Sequence, residues 1–591
     1  MTGAAAMPRW VALGLLLGAL WWARAGASHA PAVTPAIPRE PPHDIYGGLL
    51  PAVAPHTGNF RVVQLGKRWT LLSPEGGALW LRAVYGVDWS NGGSAAAAAF
   101  ASKYHGHEME FARHAVERLR LWGFNALGTY ENVYTLPVPT YGRRAGNAAA
   151  MPFLRSLNVA WYGELNDGHL APAPFKSLLA GGVDPEIYHD WKGNVPDVFD
   201  PNFAAYAQAA AADQGTASRP SEFRAAELTQ TPWLIGTIAD DSDDVYGFGP
   251  GPDLPGDGNV VHPNLGWVIA VTRPEQQSND SVGAFLGSAR RVEYRDPTVY
   301  SKLAWSRYLR QEYKTIAALN AAWGSHYTTF GSDGGWPSGR GLLDESGRNG
   351  WIGADPYALR GASAAAKHDM DAFVGIFADR YYQVTSAAIR GATPRQLVFS
   401  GMLDGFGGMT RPAILAAAAR YCDVVQLQIE SSRPEVLDHT YALTHKPLLA
   451  WLGVRADADS AVRGGEIHGA DSGSQAARGA VYAADLQWMY ARREPDGVYP
   501  VIGFDWWEYM DKPGEHANWG LVTVRDNAYD GREDRIGRGQ DAWGYATGGE
   551  SGNHGDFLTR VTIANLTIAQ EMRAHLPAPT GGMTAPGDGR P

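Results

Sequence analysis

One feature constrains this chain more than any other. From about residue 60 to 575, short apolar runs alternate with longer segments of helical period. Strands are expected at Ala78–Val87, Gly123–Tyr130, Phe153–Tyr162, Trp233–Ala239, Gln396–Met402, Asp423–Ile429, Pro447–Val454 and Tyr499–Trp507. Between them the apolar spacing predicts helices, for example Glu108–Trp122, where Phe111, Ala112, Ala115, Val116 and Leu119 share one face. Further helices are expected at Asn202–Gln214, Thr298–Tyr313, Thr315–Trp323, Lys367–Ile389, Arg411–Tyr421, Ser474–Arg493 and Thr559–Ala574. Parallel strands need long crossovers, and helices supply them, so sustained alternation means a parallel sheet. Eight such strands favour closure into an α/β (β/α)8 TIM barrel. A small N-terminal β-hairpin (Arg61–Val63, Trp69–Ser73) precedes it, and long loop insertions interrupt it, the longest at about 240–290 and rich in Gly, Pro and Asp.

The ends read differently. Arg9, an apolar stretch of 13 residues from Trp10 to Trp22, and Ala-Ser-His-Ala ending at Ala30 describe a secretory signal peptide over 1–30. The stretch is shorter than the roughly 18 residues that span a bilayer. A secreted or periplasmic protein with no stable membrane partner is expected, unless the signal stays uncleaved as an anchor. Residues 31–58, with five prolines between Pro31 and Pro42, are expected to be an extended linker. The barrel then covers 59–577 and a flexible tail 578–591.

Charge and composition narrow the function. Lys+Arg 50 against Asp+Glu 61 gives a formal charge of −11, which argues against a nucleic-acid partner. A single cysteine, Cys422, leaves no disulfide framework and no cysteine zinc site. No phosphate-binding glycine loop follows a strand, and the histidines show no metal-ligand spacing, so no cofactor and no metal are expected. The exception left open is a calcium site in the acidic run Asp240–Asp244, against a solvated acidic loop. The 21 Trp and 26 Tyr are either core fillers or platforms for flat ligands such as sugars.

In such a barrel the reactive groups stand at the C-terminal strand ends. Here those ends offer Trp89, Glu131, Trp161, Asp241 and Asp243, Gln428 and Glu430, Trp451, and then Asp505, Trp506 and Glu508. Carboxylates alternating with aromatics suit cleavage of a glycosidic bond, which needs a proton donor and a second carboxylate as nucleophile or base. Strand parity puts Gln426, Gln428 and Glu430 on one face. It groups Trp506 with Glu508, and Asp505 with Trp507.

Several stretches carry a family resemblance. Trp69-Thr-Leu-Leu-Ser-Pro-Glu-Gly, Arg120-Leu-Trp-Gly-Phe-Asn-Ala-Leu-Gly, Pro196-Asp-Val-Phe-Asp-Pro-Asn-Phe, Trp305–Gly324 and Val501–Pro513 follow one another in the order found in agarases. The Trp305–Gly324 stretch is shared with β-galactosidase-like enzymes. The chain therefore resembles clan A glycoside hydrolases of the agarase-like and β-galactosidase-like (β/α)8 kind. The resemblance implies carbohydrate metabolism: a polysaccharide or oligosaccharide substrate and a sugar-platform tryptophan, matched here by Trp506. Both family glutamates are substituted. The general-acid position aligns with Ser242, and Lys446–Leu452 contains no acid where the nucleophile is usual. Two expectations follow. Either a secreted glycosidase has relocated its pair, with Asp241 or Asp243 as acid and Glu430 or Glu508 as nucleophile or base. Or a catalytically inactive hydrolase fold binds polysaccharide, or acts as an envelope scaffold. Trp89, Glu131, Trp161, Gln428, Trp451, Asp505 and Trp506 are the expected substrate-binding residues.

Overall fold

The computed structural model describes residues 36–137, 150–157, 159, 195–216, 219–224, 229, 231–240, 265–275, 296–347, 361–403, 411–428, 431, 433–454, 456, 460, 462, 472–513, 518–530 and 557–576. Three antiparallel strands open it: β1 (Arg61–Leu65), β2 (Arg68–Leu72) and β3 (Ala78–Leu79). The barrel strands are β4 (Leu81–Val84), β5 (Ala126–Leu127), β6 (Phe153–Ser156), β9 (Leu234–Ile238), β10 (Leu397–Leu403), β11 (Val424–Gln428), β12 (Leu448–Leu452) and β13 (Val501–Trp506). Each pairs in parallel with the next in chain order, and β13 pairs with β4 to close an eight-membered ring. A hairpin, β7 (Asp213–Thr216) and β8 (Arg219–Arg224), is added between β6 and β9.

The expected helices are found as α2 (Glu108–Leu121), α3 (Phe203–Ala212), α5 (Tyr300–Tyr313), α6 (Ile316–Trp323), α7 (Ala364–Ala392), α8 (Pro412–Tyr421), α10 (Gln475–Ala491) and α11 (Phe557–His575). Three more, α1 (Gly93–Tyr104), α4 (Leu265–Val271) and α9 (Pro434–Thr444), are not among the expected helices, and α4 lies within the insertion expected at about 240–290. Local chemistry places the ends. Thr315, Ser363 and Ser474 cap α6, α7 and α10 by accepting the N–H three residues on. In α2, Glu108 and Glu110 stand in the first turn and Arg118 and Arg120 in the last, matching the helix dipole.

Outward strand residues such as Val84, Leu127, Val425, Ala450 and Trp506 pack under the helices in one cluster. Inward residues Leu81, Ala83, Ala126, Leu154, Ile235, Phe399, Val424, Leu449 and Ile502 fill the barrel. Tyr46 and Phe60 join this inner cluster. The Pro-rich segment is thus not simply a linker. Asp44 Oδ1 accepts from Tyr46 and Gly48 N–H, and Leu49 N–H bonds Ala78 O, so the described residues from Pro41 to Phe60 include a folded turn against the barrel.

A candidate active site at the C-terminal end of the barrel

A bulge in β13 decides which residues face inward there. Leu448 pairs with Val501, but Leu449 pairs with Gly503, leaving Ile502 as an extra residue. Gly503 has φ +149, and a Cβ there would meet Leu81 O at 2.2 Å, so only glycine fits. Past the bulge Trp451 pairs with Asp505 and Leu452 with Trp506. Asp505 and Trp507 consequently turn into the barrel mouth, while Phe504 and Trp506 turn out.

This corrects one expectation. Trp506 is no platform: it is 0% exposed, packs on Tyr482 and Phe557 in the helical layer, and donates Nε1–H to Trp519 O. Its neighbour Trp507 faces the mouth instead. Trp507 stacks on Tyr85 with centroids 4.5 Å apart and rings at 21°. Trp451 meets it edge-on at 4.6 Å, Trp519 does so at 5.9 Å, and Lys512 Nζ lies 5.7 Å from its ring. Tyr130 leans on Tyr85 at 5.2 Å and is 37% exposed. The strand parity that groups Asp505 with Trp507 is the sequence signal for this inward face.

Three carboxyl groups stand beside this aromatic wall. Asp505 is fully buried at the inner end of β13. Its oxygens occupy the space a side chain would take at position 128: a Cβ on Gly128 would lie 2.3 and 2.5 Å from them. Neither oxygen has a hydrogen-bond partner among the described residues. Burial therefore holds the Asp505 carboxyl well above its usual range. Glu131, just after β5, is buried too, and its Oε1 has no hydrogen-bond partner among the described residues. Burial raises the Glu131 carboxyl well above its usual range, and the nearby Asp505 and Asp88 charges push it further. Glu508 follows Trp507 through a cis peptide and is buried, with Oε2 3.5 Å from Asn91 Nδ2 and packed on Gly86.

The other expected residues divide. Gln426 and Gln428 are buried at the end of β11, and Trp451 lies within the mouth cluster. Trp89 sits on the turn after β4, stacked flat on Phe100 at 4.3 Å, with Nε1 donating to Glu108 Oε2, so one face and its polar edge are taken. Asp241, Asp243, Trp161 and Glu430 lie outside the described residues. Of the acidic run, Asp240 is buried and accepts from Tyr381 Oη at 2.5 Å. Among the described residues no cluster of three metal-ligating side chains exists.

Comparison with known proteins agrees on architecture. No family model matches the chain. A curated relative, β-agarase A of Vibrio sp. (strain JT0107), is 23% identical over 440 residues, which cover 70% of this chain and 34% of that relative. The chain thus spans about a third of the curated relative's length. Among solved structures, an exo-β-agarase superposes with TM-score 0.58 at 18% identity, covering 97% of this chain and 72% of the other. Another agarase superposes with TM-score 0.55 at 16% identity, over 97% and 72% of the two chains. The (β/α)8 barrel is the fold of these agarases.

Proposed function

We propose that this protein is a glycoside hydrolase that cleaves a β-linked galactan such as agarose in the mouth above β13, β4 and β5. One observation carries the reading. Asp505 and Glu131 come together at the inner C-terminal strand ends, and Glu508 directly follows Trp507 of the Tyr85–Trp451–Trp507 wall. The aromatic faces stack on the C–H faces of a sugar ring, and the carboxyls act on the bond next to it. Glu131, the less enclosed of the two proton-holding groups, is the donor to the leaving oxygen. Asp505 beneath it is a positioning residue: its charge, when present, keeps the proton on Glu131. Glu508 is the nucleophile or base. Asp241, Asp243 and Glu430, which the sequence places after expected strands, stay candidates for a further carboxylate. The signal-like segment at 1–30 directs the enzyme out of the cytoplasm.

The test is release of reducing ends from agarose, other galactans, β-glucans and uronic-acid polymers by the purified protein. Release from a galactan is expected, with Glu131→Gln and Glu508→Gln each slowing it at least about a hundredfold. Tight binding of a glycan with no release above a heat-inactivated control would overturn hydrolysis in favour of a binding protein built on the same fold.

A further inference from the structure

The opposite end of the barrel holds a second cavity, of about 520 Å³, within the range of small-molecule sites. Asn125, Pro152 and Trp233, which line it, each immediately precede β5, β6 or β9. It therefore lies at the N-terminal strand ends, away from Trp507 and Glu131. That end of such barrels ordinarily serves stability, yet this cavity is not lined as a structural void would be. Arg82, only 6% exposed, borders it. Its Nε donates to Gly123 O at 2.7 Å, and its own N–H donates to Asn125 Oδ1. Among the described residues no acceptor pairs with its two Nη atoms. An anchored guanidinium with a free outer edge presents the planar fork that grips a carboxylate or sulfate.

The described residues that line the cavity carry more cations than acids. Glu40, the one acid among the described residues that line the cavity, lies 3.3 Å from His43 Nε2 and makes no contact ion pair with Arg82, though its charge acts on both Arg82 and Arg120. The hydrogen bond to Glu40 raises the His43 imidazole above its usual range. Arg120 adds a second guanidinium, which donates to Ala150 O, so two guanidiniums and one carboxylate line the cavity among the described residues. Burial lowers Arg82 to about 10, which still leaves it a cation at neutral pH. Opposite the arginines, Tyr46 and Trp233 pack at 4.5 Å and give an apolar wall.

We infer that this cavity is a binding site for a small organic oxyanion, a sugar-sized acid whose carboxylate or sulfate meets Arg82 and Arg120 while its body rests on Trp233. This goes beyond the hydrolase reading and does not depend on it. Calorimetric titration of the full chain at constant ionic strength tests it, with glucuronate, galactose 6-sulfate, inorganic sulfate, and neutral galactose as probes. Saturable one-site binding of glucuronate or galactose 6-sulfate is expected, with none of galactose. Arg120→Gln, on an exposed side chain, is expected to weaken it at least tenfold, and Arg82→Gln to abolish it. Galactan hydrolysis by Arg120→Gln should equal wild type, which separates this site from the mouth. No saturable binding of either sugar acid, binding of inorganic sulfate alone, or undiminished binding by Arg120→Gln would overturn the inference.

Discussion

Replacing Asp505 by Asn exposes the energetics of the mouth directly. The carboxyl is fully enclosed, presses against Gly128, and has neither oxygen hydrogen-bonded among the described residues. Its proton affinity in the folded state is raised by burial. An aspartate in the unfolded chain loses its proton near pH 4. Above that pH the unfolded chain releases a proton that the folded chain keeps, so stability falls as pH rises, by about 1.4 kcal/mol per unit, until the folded group ionises. Asparagine has the same shape and no ionisation, so this loss disappears in the variant. The Asn variant should match wild type near pH 4 and exceed it at pH 8 by at least about 1.4 kcal/mol, one pH unit's worth of the proton the folded carboxyl retains. Denaturant unfolding at pH 4 to 8 measures the difference. Hydrolysis should move the other way, and its alkaline limb should shift to lower pH, because Glu131 loses the neighbour that keeps it protonated. A more stable but slower enzyme is the signature of a group held for function. A wild type more stable than the Asn variant at pH 8, with no loss of stability from pH 4 upward, would mean an ionised, well-paired Asp505 and would refute the reasoning.

Other substitutions separate the site from its frame. Trp507→Ala should raise KM for galactan about tenfold or more with little change in melting temperature, whereas Trp506→Ala should cost about 3–5 kcal/mol of stability, and steady-state kinetics beside thermal unfolding distinguish them. Gly503→Ala forces a methyl onto Leu81 O at a φ that L residues rarely adopt, so a loss of more than about 3 kcal/mol is expected, read as melting temperature or soluble yield. Asp526 anchors the loop after β13 by accepting from Arg118 Nη1 at 2.7 Å and from Tyr104 Oη at 2.5 Å. Burial alone would raise its carboxyl, but Arg118 and Lys103 outweigh burial and hold it below the usual range. Asp526→Asn strands a buried Arg118 and should cost about 3–5 kcal/mol at neutral pH. Wild type should lose that advantage as acid titrates Asp526, so the two unfolding curves should converge at low pH.

Much of the fold is legible in residue order alone. The eight apolar runs mark the eight barrel strands, and the long amphipathic helices α2, α7 and α10 stand out, because period and burial coincide in them. The three helices that the apolar spacing does not mark lack that signal in different ways. Helix α1 is a run of alanines with little amphipathic contrast, α4 is apolar on every side, and α9 opens on Pro434, which reads as a break although proline suits a first turn. The Pro-rich stretch shows why composition misleads. Proline fixes extended backbone, but Asp44 and Leu49 supply the local turn and the tertiary bond that bind it to the barrel.

The site divides along the same line. Sequence determines that acids and aromatics gather at the strand ends, because strand-end positions follow from strand boundaries. It leaves two parity classes in β13, Asp505 with Trp507 or Trp506 with Glu508. The choice belongs to tertiary structure: one extra residue at Ile502, made possible by Gly503 lying against Leu81, reverses which side chains point inward. The pairing of Asp505 with Glu131 is tertiary as well, since more than 370 positions part them along the chain. Only closure of β13 onto β4, with β5 beside it, brings the two carboxyls together, and only exclusion of water around them makes them hold protons.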